Sequence, residues 1–307
     1  MATDGERKDS HVVVAGHVNW DVTLRVDRLP SPDDEARIRS RRGSGGGSAA
    51  NVAIALAGFG VSPSVIGSVG DDEHGRLARD ALRQAGVDCS TLVTVANEPT
   101  AAKYLLVDDR GEVAVLGTDG VNEAYTIDDV DPSHVRDASH LHLTGQEPET
   151  AAALAEVAGE ADVTVSIDPG RRLADRPFDE ALARAGTIFV NDREAMALLQ
   201  TEYRAVDDGE QVIVVKSGGD GAIVHGPDGS WSHAGFGVET VDTTGAGDAF
   251  AAAFLARRLA GDDFPSALKY ANACGALASQ AVGAQTAPSA ATVDRFLRDR
   301  GTNLERT

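Results

Sequence analysis

The hydrophobic pattern of this chain contains two kinds of segment, and the first predicts the body of the fold. Short, almost continuously apolar runs alternate with longer stretches of helical periodicity, mostly in the second half of the chain. Such runs are typical of strands buried on both faces, and helices between them indicate parallel strands with crossover connections. The predicted strands are His11–Gly16, Val65–Val69, Leu141–Leu143, Val163–Ile167, Thr187–Val190 and Val212–Lys216. The predicted helices are 44–57, 72–85, 149–158, 192–199, 246–259, 265–282 and 291–298. We therefore predict an α/β fold, a three-layer Rossmann-like body with a central, mostly parallel sheet.

The second kind of segment alternates apolar with polar residues, as strands with one solvated face do. Val22–Val26 and Ala36–Ser40 show this pattern, and Thr100–Val107 and Glu112–Gly117 flank the turn at 108–111. These segments do not fit a buried parallel sheet. We predict that residues 22–42 and 100–118 form a small β lid on one domain spanning 11–298, with 1–10 and 300–307 as flexible tails.

The composition excludes several classes of protein. Of 307 residues, 42% are hydrophobic and 25% are charged, which is typical of a globular chain. No apolar stretch is long enough for a membrane span, and Met1–Ser10 does not resemble a signal peptide. The cysteines, Cys89 and Cys274, lie in no metal-binding or disulfide pattern. We expect a cytoplasmic protein without a membrane partner.

The charge balance is strongly acidic. Asp and Glu number 48 against 28 Lys and Arg, for a formal net charge of −20. Such a surface repels phosphate backbones, so nucleic acid is excluded as a partner. Together with the scarcity of lysine, the charge predicts a halophilic protein whose self-repulsion is screened by salt. The alternative is a merely acidic soluble protein.

A candidate phosphate site lies at Asp242–Asp248, where small residues precede a predicted helix. The first N–H groups of a helix have no intrahelical partner, and glycines let an anion approach them closely. A carboxylate at Asp248 would repel a merely bound anion, but it could take a proton from a hydroxyl that attacks a phosphoryl group. The alternative is that Asp248 only stabilises the start of its helix.

A second glycine run, Gly45–Asn51, also enters a predicted helix. It follows an amphipathic strand, and no acidic residue ends a second core strand about 20 residues later, so a nicotinamide-binding motif is not supported. No GxxxxGK[ST] motif is present either, which excludes a standard P-loop.

Both stretches closely resemble the signature sequences of the PfkB, or ribokinase-like, family of carbohydrate kinases. They are GGGSAANVAIALAGFG, beginning at Gly45, and DTTGAGDAFAAAFLA, beginning at Asp242. Supporting pieces occur in the family's order, at 16–21, 191–194, 216–221 and 272–277. The resemblance covers residues 11 to 290. It implies an ATP-dependent kinase with a β lid over the sugar, using Mg²⁺ and, as a further candidate, K⁺.

The resemblance also assigns roles to individual residues. Asp248 would be the base, and the backbone amides of Gly245, Ala246 and Gly247 would stabilise the transferred phosphoryl group. The implied sugar site contains Asn19, Asp21, Gly46, Gly47 and Asn51. The implied nucleotide site contains Asn191, Lys216, Gly218, Gly221 and Asn272. Glu194 would belong to the magnesium network, and the candidate monovalent-cation site comprises Asp242, Thr244, Ala278, Ala281 and Gly283. Three alternatives remain open: Asp21 could be only a turn former, Asn51 an ordinary helical residue and Glu194 only a first-turn acid.

The substrate is predicted from cationic residues. Ribokinase itself has a lysine where this chain has Ser48, which argues against plain ribose as the acceptor. Lys103 lies on a predicted lid strand, and Arg37 belongs to a basic cluster that extends to Arg42. Because such groups usually pair with phosphate or carboxylate, we expect a sugar phosphate such as ribose 1-phosphate.

Several alternatives to this substrate remain open. The arginines could instead neutralise neighbouring aspartates, and the acceptor could be a neutral sugar, 2-keto-3-deoxygluconate or a nucleoside. A non-catalytic sugar- or nucleotide-binding regulator is the alternative from another class. Exposed edges of the lid strands also make a homodimer a candidate arrangement.

Overall fold

The structure, a computed structural model, describes residues 10–199 and 210–303. Within these ranges it contains two β-sheets with helices packed around the larger one. The strands are β1 His11–Ala15, β2 Asn19–Val26, β3 Ile38–Gly46, β4 Ser62–Gly70, β5 Leu92–Val95, β6 Ala102–Val107, β7 Val113–Thr118, β8 His140–Leu143, β9 Thr164–Ile167, β10 Thr187–Asn191, β11 Val212–Lys216, β12 Ala222–Gly226 and β13 Gly229–His233. The α-helices are α1 Ser48–Gly58, α2 Glu73–Gln84, α3 Ser133–Arg136, α4 Pro148–Glu160, α5 Asp179–Arg184, α6 Asp192–Leu198, α7 Ala246–Leu259, α8 Phe264–Ala278 and α9 Ala290–Asn303.

The larger sheet confirms the predicted α/β architecture. Its strand order is β13-β12-β11-β10-β9-β8-β1-β4-β5. Neighbours from β11 to β5 run parallel, and β12 alone runs in the opposite direction, pairing antiparallel with both β11 and β13. β1 lies between β4 and β8, so the chain extends the sheet first on one side of β1 and then on the other.

The three-layer arrangement follows from the apolar run of β1. Val12 and Val14 pack into the hydrophobic cluster that contains residues of α1, α7 and α8. Val13 and Ala15 point to the opposite face and pack into the cluster that contains α4. Both faces of the strand are buried, which explains why its sequence is continuously apolar rather than alternating.

Helix α7 is buried along most of its length because it is rich in alanine. Ala249 to Leu255 are each at most 5% exposed. Small side chains let the helix pack closely against α1 and α8 as well as the sheet. This packing holds its N-terminus, which carries the DTTGAGD motif, in a fixed position.

The smaller sheet has the order β3-β2-β6-β7. β2 follows β1 after a short connection and pairs in parallel with β6, opposing Asp21 to Lys103. β3 continues to Gly46, so the predicted helix start at Ser44 is wrong. The glycines pair with β2, where Gly46 opposes Asn19, and α1 begins at Ser48.

Other differences from the predicted elements lie mainly at the ends of the larger sheet and at the ends of helices. β5, β12 and β13 were not predicted, since they are short and lie at the ends of the larger sheet. Helix α8 ends at Ala278 rather than at 282, and the next carbonyl, that of Ser279, accepts hydrogen bonds from Val241 and Asp242 instead of continuing the helix. Helix α9 extends to Asn303, into the predicted C-terminal tail, while 1–9 and 304–307 lie outside the described residues.

Across the part of the chain that the structure describes, the search for a helix with the length and apolarity of a bilayer span finds none.

Candidate active site

A cavity of about 410 Å³, here called the first cavity, lies at the carboxyl edge of the larger sheet. Its lining includes residues at the ends of five parallel strands: His17 beyond β1, Gly145 beyond β8, Asp168 beyond β9, Asn191 of β10 and Lys216 of β11. Open α/β sheets bind their ligands at this edge, where the connections diverge to either side.

The second cavity, of about 450 Å³, adjoins the first. Asn191 and Lys216 line both cavities. Its other walls combine glycines with the apolar side chains of Phe236, Val238 and Phe250. All the residues that the resemblance assigned to the nucleotide lie here: Asn191, Lys216, Gly218, Gly221 and Asn272.

The N-terminus of α7 separates the two cavities. Ala246 and Gly247 line the second cavity, whereas Asp248 lines the first. Gly245 caps the helix in the left-handed region, with φ of 75°, and a Cβ there would overlap the carbonyl oxygen of Ala284. Only glycine fits this position. Ala246 donates its N–H to the carbonyl of Thr243 at 3.1 Å, and the other N–H groups of the first turn, with the helix dipole, face the boundary between the cavities.

Asp248 is held by a hydrogen bond from α1. The Asn51 amide nitrogen donates to its Oδ2 at 2.8 Å. Burial raises the pKa of Asp248 from 3.8 to about 6, with Asp168 also raising it, while Asn51, Lys216 and Lys103 lower it. A carboxylate with this pKa is largely ionised at neutral pH, yet it accepts a proton more readily than an exposed aspartate.

The other residues of the implied sugar site lie on or beside the first cavity. Asn19 and Gly47 line it, whereas Asp21, Gly46 and Asn51 do not. Asn19 accepts a hydrogen bond from Asn122 at 2.8 Å, and a Cβ on Gly46 would overlap the carboxylate of Asp21. Burial raises the pKa of Asp21, while Lys103 lowers it.

Three buried oxygens in this region lack a hydrogen-bond partner among the described residues. They belong to the side chains of Asp21, Asn51 and Asn122. Buried acceptors are rarely left unsatisfied, so these groups are suited to the hydroxyls of a polyol.

A buried ion pair forms the wall between the cavities. Lys216 bonds to Asp168, and although burial lowers the pKa of Lys216, Asp168, Glu194 and Asp248 raise it overall. Glu194 is joined to Asn191 by reciprocal hydrogen bonds at the start of α6. Burial, with Asp168, raises the pKa of Glu194.

This donor set fits Mg²⁺ only in the company of phosphate and water. The described ranges contain no group of three or more His, Cys, Asp or Glu side chains that could hold a metal. Mg²⁺ is usually bound by one or two carboxylates together with water and substrate phosphates, and Glu194 and Asp168 could supply those carboxylates.

The predicted monovalent-cation residues form one loop cluster. Asp242 accepts backbone hydrogen bonds from Thr244 and Gly283, both at 2.9 Å. Ala281 donates its N–H to the carbonyl of Ala278, and Val241 and Asp242 donate to that of Ser279. The structure thus brings Asp242, Thr244 and the 278–283 segment together.

The predicted basic cluster is not at the site. Arg37 is exposed and lines neither cavity, and its backbone N–H donates to Asp27 at 2.9 Å. Arg39 pairs on the surface with Asp109 at 2.9 Å. Of the residues predicted to contact an anionic acceptor, Lys103 lines the first cavity and Arg37 does not.

Sequence reasoning missed the residues that follow β9. Asp168, Arg171 and Arg172 line the first cavity, and Arg172 pairs with Glu123. One signal was available, because Asp168 directly follows a predicted buried strand, where α/β proteins place functional side chains. Glu123 lies in a loop without any such signal.

Comparisons with known proteins agree with this geometry. The family model described as pfkB family carbohydrate kinase matches residues 9–291. A protein of Halopiger xanaduensis named ATP-dependent ribose-1-phosphate kinase is 60% identical over 94% of this chain and 98% of its own. A nucleoside kinase of Methanothermobacter thermautotrophicus is 26% identical over 91% of this chain and 92% of its own. The structure of Arabidopsis thaliana ribokinase complexed with ribose and ATP matches with a TM-score of 0.83 and 25% identity, covering 94% of this chain and 99% of the other.

Proposed function

Since this chain belongs to the pfkB family of carbohydrate kinases, we propose that it transfers the γ-phosphoryl group of ATP to a hydroxyl of a sugar phosphate, specifically ribose 1-phosphate. Membership and the ribokinase fold make the protein an ATP-dependent carbohydrate kinase. The identity of the acceptor is the proposal. It is supported by the 60% identity to the Halopiger xanaduensis protein and by the cationic side chains of the first cavity.

The observation that carries the reaction is the position of Asp248 at the boundary of two adjoining cavities. With the acceptor in the first cavity and ATP in the second, the acceptor oxygen would attack the γ-phosphorus. A P–O bond forms, the bond from the γ-phosphorus to the bridging oxygen of ADP breaks, and Asp248 takes the hydroxyl proton. The amides of Gly245, Ala246 and Gly247 would stabilise the charge on the phosphoryl oxygens.

Ions would complete the site. Glu194, with Asp168, would hold Mg²⁺ through water and phosphate oxygens, and the ion would neutralise phosphate charge. The cluster around Asp242 would hold K⁺ through its carboxylate and neighbouring carbonyls. Replacing KCl by choline chloride at constant ionic strength should lower activity. Activity that does not change on this replacement would remove the K⁺ site from the proposal.

The smaller sheet would act as a lid and as a dimer interface. Lys103 of β6 and Val115, Gly117 and Thr118 of β7 line the first cavity, so this sheet could exclude water, and acceptor-free ATP hydrolysis should be slow.

The dimer interface would use apolar side chains of the same sheet. Ile38 and Leu116 are 56% and 62% exposed. Light scattering on Ile38→Glu should show monomers if this face joins two copies, whereas Met196→Glu on α6 should leave the dimer intact.

The reaction would take place in the cytoplasm, where ATP is available, and under high salt, for which the acidic charge is suited.

The variant Asp248→Asn tests the proposed base. It keeps the size and the contact with Asn51 but cannot accept the proton, so kcat should fall about 10²–10⁴-fold. The control is Asp228→Asn, in the exposed turn between β12 and β13. It makes the same substitution at a residue that lines neither cavity, and it should keep full activity. Retention of more than ~1% of wild-type kcat by Asp248→Asn would exclude it as the general base.

An acceptor panel tests the substrate. ATP-dependent phosphorylation is measured with ribose 1-phosphate, fructose 6-phosphate, ribose, fructose, 2-keto-3-deoxygluconate and nucleosides. We expect the highest kcat/KM with ribose 1-phosphate. Activity confined to neutral sugars or nucleosides would reject an anionic acceptor, and binding without any turnover would indicate a regulator.

A further inference from the structure

The first cavity is rich in cations for so acidic a protein. Four cationic side chains line it: Lys103, Arg171, Arg172 and Lys216. Two of them are among the chain's four lysines. Acidic side chains on the lining are equally numerous, although the whole chain has 48 acids against 28 bases.

Most of these cations already have an acidic neighbour. Lys216 bonds to Asp168, and Arg172 bonds to Glu123. Lys103 acts electrostatically on Asp21 and Asp248, which places it near the reacting hydroxyl. Arg171 differs, because among the residues that the structure describes its side chain has no hydrogen bond or ion pair.

The backbone that carries Arg171 is firmly held. It belongs to the 3₁₀ helix Gly170–Ala174, which follows β9 almost directly. Arg172 is bonded to Glu123, and Leu173 is buried in the core with 2% of its surface exposed. His17, Arg176 and Arg172 lower the pKa of Glu123 to about 2, so this anchor stays charged. An exposed guanidinium thus projects from a segment that is anchored on both sides.

Arg171 lines the first cavity but not the second. Asn191 and Lys216 are shared by both cavities, whereas Arg171 and Arg172 line only the first of the two. Arg172 also lines a smaller cavity with Asp119, Asn122 and Glu123. A ligand that places its hydroxyl at Asp248 therefore shares one cavity with both arginines.

We infer that Arg171 binds the phosphate that the acceptor already carries, and that it thereby selects phosphorylated over neutral acceptors. The inference rests on the proposed function. Ribose 1-phosphate carries its phosphate and its 5-hydroxyl at opposite ends, so one molecule in the first cavity could present its hydroxyl to Asp248 and its phosphate to Arg171. A guanidinium can bind phosphate through two parallel hydrogen bonds, and within residues 10–199 and 210–303 no carboxylate pairs with Arg171 to compete with the substrate.

The test is Arg171→Gln, which removes the positive charge and keeps a polar, hydrogen-bonding side chain. With ribose 1-phosphate, KM should rise about 10–100-fold, since charge-assisted hydrogen bonds are lost. The KM for ATP should stay unchanged and kcat should change little. Arg171→Lys should give an intermediate KM, because it keeps the charge without the planar fork. The matched control is Arg184→Gln on α5, which pairs on the surface with Glu156 and lines neither cavity.

The outcomes separate this inference from the function on which it rests. If the wild type phosphorylates ribose 1-phosphate and Arg171→Gln keeps its KM, the phosphate is bound elsewhere and only the role of Arg171 fails. If the wild type phosphorylates neutral acceptors alone, the proposed function fails and this inference with it. If Arg171→Gln also raises the KM for ATP, or if Arg184→Gln raises the KM for ribose 1-phosphate to the same extent, the effect is a general electrostatic or structural one. Either result would overturn the specific role of Arg171.

Discussion

At the scale of single residues, Asp248 has to satisfy two opposing demands. As the proposed base it would have to be ionised, yet burial raises its pKa from 3.8 to about 6. Keeping this carboxylate charged therefore lowers the free energy of unfolding of the protein. The hydrogen bond from Asn51 favours the ionised form, which reduces that cost, and it holds the carboxylate in one orientation.

We expect Asp248→Asn to be more stable than the wild type at neutral pH. Because the folded protein binds the proton more tightly than the unfolded chain, ionisation of Asp248 lowers the free energy of unfolding as pH rises from about 4 to about 6, and the loss persists above that range. Two pKa units correspond to about 2–3 kcal/mol. Urea unfolding should show this gain at pH 7.5 and none near pH 4. A gain that does not depend on pH, or an equal gain in Asp228→Asn, would contradict the assignment.

The same ionisation should appear in activity. The wild-type kcat/KM reports the free enzyme, so it should fall on the acid side of pH about 6 as Asp248 becomes protonated. Initial rates across pH 5 to 8, at constant salt, measure this limb. A kcat/KM that remains constant down to pH 5 would mean that the essential base is a different group.

At the scale of elements, the decisive feature is the N-terminus of α7. The helix is fixed by its buried alanine-rich body, and Gly245 lets the chain enter it through a left-handed residue. The amides of the first turn are thereby held at the boundary of the cavities. Such pre-organised donors favour the transition state because they need no reorganisation during the reaction.

We expect Gly245→Ala to lower kcat strongly while the protein stays folded. The new Cβ would overlap the carbonyl of Ala284, so the first turn would shift, and losing such a donor typically costs about 10²–10³-fold. Gly159→Ala in α4 is the matched control, since a Cβ there meets open space. It should keep full activity and gain up to about 1 kcal/mol of stability. Comparable kcat values for the two variants would mean that the α7 amides do not act in catalysis.

Elements differed in how well the sequence predicted them. The buried strands were found because continuous apolar runs are required where both faces are covered, as at β1. The edge strands β12 and β13 were missed, since β12 buries only alternate residues over a short length. The glycines of β3 were assigned to a helix because their pairing with β2 is a long-range contact.

At the scale of the whole molecule, the net charge of −20 determines how the protein responds to salt. Like charges repel most strongly in the compact folded state, so screening favours folding. The Debye length shrinks from about 10 Å at 0.1 M to about 3 Å at 1 M salt, so most of the gain should occur in this range.

We expect the free energy of unfolding to rise with KCl. Urea is the appropriate denaturant, because guanidinium is itself a salt and would screen the charges. Unfolding curves between 0.1 and 3 M KCl should give the steepest increase below 1 M, where screening changes most. Stability that is flat or falls as KCl rises would contradict a salt-adapted protein.

The sequence by itself determined the α/β architecture, the acidic surface and the chemistry of the DTTGAGD stretch. Each of these depends on local composition, periodicity or a contiguous motif. The tertiary structure decided which distant residues meet: Asn51 with Asp248, which are 197 positions apart, and Arg172 with Glu123. It also leaves Arg37 outside both cavities and brings Arg171 and Arg172 to the lining of the first, because the position of a cation depends on where the fold brings it. No local pattern records that placement, since it is set by the packing of the whole sheet and its crossovers.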